Sequence, residues 1–94
     1  MHIARLADDY KVTKTEVETR DTQLVAYGLW RYDEVPIGFV LRDGAARWVV
    51  RESARWKHIV EEWKRVGSIY AGYSTAVGQL WRAVREETGG WQTI

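Results

Sequence analysis

The chain has 94 residues, no cysteine, six tryptophans and a net charge of +1. That length supports one domain with one core, taken here as residues 1–94, held without disulfides or thiolate-bound metal as in a reducing cytosol. The near-neutral charge excludes the strongly basic footprint of a dedicated phosphate-backbone binder, and no apolar run approaches the roughly 20 residues that cross a bilayer. The start, Met1 to Arg5, has neither the apolar stretch nor the cleavage site of a signal peptide, so the expected location is cytoplasmic.

In chain order, the first ten residues read two ways. Ile3, Leu6, Ala7 and Tyr10 fit one helical stripe, while Asp8-Asp9 equally suits a turn between short strands, and the reading leans towards extended structure. Residues 10–20 interleave Thr and Val with Lys and Glu, the composition of a solvent-facing edge strand. Residues 23–32 predict a stronger strand, with Leu24, Ala26, Gly28, Trp30 and Tyr32 on one face and Val25, Tyr27, Leu29 and Arg31 on the other. Apolar side chains on both faces need cover on both, from helices on one side and from another element or a partner molecule on the other. Asp33 to Pro36 then turn the chain. Ile37–Arg42 and Arg47–Arg51 alternate on either side of Asp43-Gly44, the signal of a β-hairpin.

The period then changes. Trp56, Ile59, Val60, Trp63 and Val66 predict a helix over about 54–66, capped by Ser53, with Lys64 and Arg65 in its last turn and Gly67 beyond it. After the connection from Gly67 to Tyr73, the stripe Val77, Leu80, Trp81 and Val84 predicts a second helix over about 75–88, capped by Ser74 or Thr75 and ended by Gly89-Gly90. Gly78 inside that helix costs about 1 kcal/mol against Ala and suggests a close approach to a neighbour. The expected fold is α+β: an antiparallel sheet of three to five strands within about residues 2–52, with the two C-terminal helices packed on one face.

Little in the chain offers chemistry. His58 has Glu61 and Glu62 at helical spacing, one imidazole and an adjacent acid pair where a stable metal site needs three or four convergent ligands. Ser74 lacks the glycine two residues on that a nucleophile elbow needs. Gly67 to Gly72 has the glycine spacing of a phosphate loop without the Lys-Ser/Thr that meets the phosphates. The pairs Asp8-Asp9, Asp33-Glu34, Glu61-Glu62 and Glu86-Glu87 are chain neighbours whose side chains diverge, whereas a general acid–base pair converges. The expectation is a protein that is not an enzyme and holds no metal or cofactor.

Five of the six tryptophans adjoin a cation: Trp30-Arg31, Arg47-Trp48, Arg55-Trp56-Lys57, Trp63-Lys64 and Trp81-Arg82. For Trp56, Trp63 and Trp81 the cation falls at the edge of an apolar stripe, its stem laid over apolar surface and its head in water. The surplus apolar face of 23–32 points to a protein partner that touches Trp30, Tyr32, Tyr27 and Leu29, with Trp91 as a second contact and self-association through the open sheet face. The alternative is DNA or RNA. Residues 1–34 carry five Lys/Arg against seven Asp/Glu and residues 35–94 nine against six, and Arg42, Arg47, Arg51, Arg55 and Lys57 form a cationic track along the hairpin and first helix.

Two stretches, Ile37-Gly-Phe-Val-Leu-Arg-Asp-Gly-Ala-Ala-Arg-Trp-Val-Val-Arg51 and Tyr73-Ser-Thr-Ala-Val-Gly-Gln-Leu-Trp-Arg-Ala-Val84, resemble the small sheet-then-helix proteins common among accessory genes of actinobacteria and their bacteriophages. The resemblance covers about half the chain and rests on a hairpin and a capped helix, so it carries over no functional residue. It implies a protein that binds and alters a host protein. The sequence is also similar to the three-stranded, single-helix arm-binding domains of phage integrases, which read DNA with the sheet.

Overall fold

The hairpin expected around Asp43-Gly44 forms between β3 (Gly38–Arg42) and β4 (Ala45–Arg51) in the computed structural model, which describes residues 2–70 and 72–89. Asp43 and Gly44 take positive φ angles of 54° and 79°, as a two-residue type I′ turn requires. Around this hairpin a four-stranded sheet is completed by β1 (Ala4–Arg5) beside β3 and β2 (Glu16–Thr19) beside β4, in the order β1-β3-β4-β2. The sheet is mixed, because β1 runs parallel to β3 while the other two pairings are antiparallel. This corrects the expectation of a purely antiparallel sheet, and the α+β class holds.

The larger correction concerns residues 23–32, which form not a strand but a helix, α1 (Thr22–Tyr32). An apolar run cannot be assigned by periodicity alone when every side is buried, and Leu24 to Leu29 are six consecutive buried residues. Local signals at the ends decide it. The Asp21 carboxylate accepts a hydrogen bond from the Leu24 backbone N–H at 3.1 Å, and Asp33 closes the helix in the left-handed conformation, its N–H directed to the carbonyls of Gly28 and Leu29.

Helix α2 (Ala54–Val66) has the predicted bounds, and the Ser53 hydroxyl accepts from the Trp56 N–H at 3.1 Å. A short 3-10 turn, Gly67–Ile69, follows. Gly67 serves packing there: a Cβ would lie 2.0 Å from the Trp63 ring. Helix α3 (Tyr73–Thr88) starts two residues earlier than expected, with Gly72 at its cap. Gly78 faces open space, so the close approach expected there is absent; it occurs at Gly28, where an added Cβ would stand 3.2 Å from Ile59 and crowd the crossing of α1 and α2.

All three helices cover one face of the sheet. Phe39, Ala46, Trp48 and Val50 join Leu24 and Tyr27 of α1, Trp56 and Ile59 of α2, and Leu80 and Val84 of α3 in a single core that also takes in Ile3. Trp48 is fully enclosed, edge-on to Trp81 and tilted against Phe39, and its indole N–H donates to the Thr22 hydroxyl at 2.9 Å. The opposite face carries Val40 and Val49, both 0% exposed, with Glu18 and Arg42. The segment leaving β1 is tied across this side: Arg42 donates to the carbonyls of Asp8 and Tyr10 and meets Glu18 at 3.0 Å, and the Leu6 side chain packs where Gly38 has no Cβ. Among the described residues no helix is long and apolar enough to cross a membrane.

Trp48→Ala removes the largest enclosed side chain and one buried hydrogen bond, so it should destabilise the fold by about 3–5 kcal/mol. Urea unfolding followed by circular dichroism should show a large fall in the midpoint, and a smaller one for Trp30→Ala, whose indole is 39% exposed.

Candidate functional site

Two features stand apart from ordinary core packing: a buried carboxylate between α1 and α2, and an open groove between the end of α1 and the start of α3. The carboxylate is Glu62, 8% exposed on the inner side of α2. Because α1 is helical, Tyr27, Arg31 and Tyr32 reach the same place, and all three donate to it. The Tyr27 hydroxyl lies 2.5 Å from Oε1, the Arg31 Nε 2.6 Å from Oε1, and the Tyr32 hydroxyl 2.6 Å from Oε2. His58, one turn earlier on α2, brings Nε2 within 3.4 Å of Oε2 and stands edge-on to the Tyr32 ring. The Arg31 guanidinium also lies over the Tyr70 ring, 4.9 Å from its centre.

These donors set the charge state. The Tyr27 hydrogen bond, then that of Tyr32, and then Arg31 hold the Glu62 carboxyl down to about 2, against the opposing effect of burial. Burial, reinforced by the neighbouring carboxylate, pushes the Tyr27 phenol up, and the hydrogen bond to Glu62 raises Tyr32. A carboxylate so engaged is a fixed anion that joins two helices. Its acidity lies far from neutrality, where a general acid or base works best. Among the described residues no three His, Cys, Asp or Glu side chains are grouped to hold a metal ion.

The groove lies beside this cluster and is lined by Leu29, Trp30, Asp33, Val35, Thr75, Ala76 and Gln79. Its volume of about 530 Å³ accommodates a few side chains. Trp30 is 39% exposed and rests on Gly72, where a Cβ would come within 2.4 Å of the indole. Tyr70 supports it from one side, 5.7 Å between ring centres, and Tyr27 from below at 6.0 Å. Val35 is 44% exposed, and Ile69, next to Tyr70 in the chain, is 76% exposed.

The residues expected to meet a protein partner therefore divide. Leu29 and Trp30 line the groove together, Tyr27 is fully buried, and Tyr32 is half-buried with its hydroxyl on Glu62. Trp91 lies outside the described residues. The expected cationic track is not continuous. Arg42, Arg47 and Arg51 point to the sheet face away from the helices, where Arg42 is held by the β1–β2 connection and Arg51 stands opposite Glu16. Arg55 and Lys57 sit on α2, Arg55 at 3.6 Å from Glu34. The Nε of Arg47 is buried without a hydrogen-bond partner among the described residues. The Glu62 cluster did not show in the sequence because a strand over 23–32 puts Tyr32 on the face opposite Tyr27 and Arg31, and only the helix lets all three reach one carboxylate.

No protein-family model, curated protein or solved structure matches the chain.

A carboxyl held at about 2 in the fold and near 4.5 when unfolded favours the folded state fully above pH 4.5, and this contribution is lost as pH falls towards 2. The thermal midpoint should drop through that window, and Glu62→Gln, already less stable at neutral pH, should show a flatter profile. Tyr27→Phe keeps the ring and removes one donor to a charged acceptor, so it should cost about 1.5–3 kcal/mol in chemical denaturation.

Proposed function

We propose that the chain is a non-catalytic protein-binding module whose contact surface is the groove headed by Trp30. The observation that carries this reading is the position of that indole. It is the most exposed tryptophan among the described residues, and it is braced by Tyr70, Tyr27 and the Gly72 backbone beside an apolar recess. A large aromatic held in one orientation loses little freedom on binding, and such residues dominate contact energies. The sequence resemblance to phage and actinobacterial accessory proteins is the support for taking that partner to be a host protein. For nucleic acid the support is weaker, because Arg42, which begins the cationic track, already serves Glu18 and the β1–β2 connection.

Affinity capture from a host lysate, with and without nuclease, compares the wild type with Trp30→Ala and with Arg51→Ala. A protein retained by the wild type and by Arg51→Ala, but lost with Trp30→Ala, supports the reading, with an expected loss of at least about thirtyfold in affinity. Retention should change little between roughly 50 and 200 mM salt, where a binder of several phosphates would lose orders of magnitude. Recovery of nucleic acid alone, sensitive to Arg51→Ala, overturns it. Sedimentation at micromolar concentration reads whether the partner is a second copy.

A further inference from the structure

We infer that the groove recognises a peptide segment pairing a cationic side chain with an apolar one, the cation seated between Asp33 and the face of Trp30. This inference rests on the proposed protein-binding function and names the chemistry of the partner.

Asp33 is the only charged residue among those lining the groove. Its side chain is exposed and has no ion-pair or hydrogen-bond partner among the described residues, although nearby charges are matched: Arg31 with Glu62, and Glu34 with Arg55. The position is also a poor one for an aspartate on grounds of stability. Residue 33 ends α1 in the left-handed conformation, φ 52° and ψ 32°, where Gly or Asn is the usual choice. A negative side chain there faces the negative end of the helix dipole, which disfavours it further. The carboxylate thus costs the fold some stability and meets no internal cation that offsets the cost.

The same features make the spot attractive to a cation from outside. The carboxylate and the α1 carbonyl end add their negative potentials at the mouth of an apolar recess. Trp30 offers a ring face on which a guanidinium or ammonium gains further attraction. Leu29, Val35 and Ala76 take the apolar side chain and the cation's aliphatic stem. The protein already uses this chemistry one residue away, where the Arg31 guanidinium lies on Tyr70 while its Nε meets Glu62. An anionic segment would meet Asp33 with like charge.

The test titrates the full chain with the blocked peptide Leu-Ala-Arg-Leu and with its twin Leu-Ala-Gln-Leu, following the Trp30 indole N–H by NMR and assigning it with Trp30→Phe. The arginine peptide should shift the Trp30 signal saturably and bind about fivefold more tightly than the glutamine twin. Asp33→Asn should abolish that difference while leaving the melting temperature equal to or above that of the wild type. Asp33→Gly, a second variant suited to the left-handed position, should do the same. Equal binding of the two peptides to the wild type, undiminished preference in Asp33→Asn, or no binding of either peptide each overturn the inference. In the first two cases the apolar groove stands as a protein contact. If neither peptide binds and Trp30→Ala still captures its protein from lysate, the broader reading fails with it.

Discussion

The arrangement of α1 depends on one carboxylate. A helix buried along Leu24 to Leu29 has little hydrophobic preference for any one rotation, since nearly every side finds apolar cover. Glu62 removes the ambiguity. Two phenols and a guanidinium from α1 converge on its two oxygens with hydrogen-bond geometry, and such bonds are directional where hydrophobic contact is not. Satisfying every donor at one buried charge fixes both the rotation of α1 and its position along α2, and Gly28 lets the two helices approach at Ile59. The same rotation carries Trp30 outward over Gly72 and leaves Asp33 at the groove. A buried carboxylate paired with a more exposed arginine need not add net stability; its clearer effect is to select one packing from several.

The sheet is served differently on its two sides. Towards the helices it presents Phe39, Trp48 and Val50, which supply the bulk of enclosed apolar area. Away from them, Val40 and Val49 are sealed by chain that has almost no regular structure, and Arg42 acts as the fastener by donating to two backbone carbonyls and to Glu18. Glu16 makes a second local tie, accepting from the Tyr10 hydroxyl at 2.6 Å and from the Thr13 N–H at 3.0 Å. Edge strand β2 therefore has its two glutamates engaged within its own chain, which keeps β2 in place.

The parts of this fold that local chemistry specifies were legible in the sequence. Asp43-Gly44 demands a tight turn, and Ser53 with the Trp56–Val66 stripe defines a helix to the residue. Residues 22–32 were not legible by alternation, because burial on all sides erases the difference between a period of two and one of 3.6. The Asp21 cap, a length of eleven residues and the Pro36 that follows were the signals that favoured a helix. The parallel β1–β3 pair involves only two residues of β1, Ala4 and Arg5, too short a segment to announce a partner more than thirty residues away. The groove shared this fate. Trp30 stands out in the sequence by its neighbours, but Asp33, Thr75 and Gln79 join it at the groove only once α1 and α3 lie together.

The pairing order of the strands also bears on how the chain reaches this state. β1 meets residues 38–39 and β2 meets residues 48–51, so neither strand has a sheet partner until the chain of the hairpin is present. The hairpin and α2 are close in sequence and close cheaply; the N-terminal pairings must enclose long loops first. On a ribosome the segment synthesised earliest is therefore the last to find its place. Until it does, the sheet face that carries Val40 and Val49 lacks the segment that Arg42 ties across it through the Asp8 and Tyr10 carbonyls.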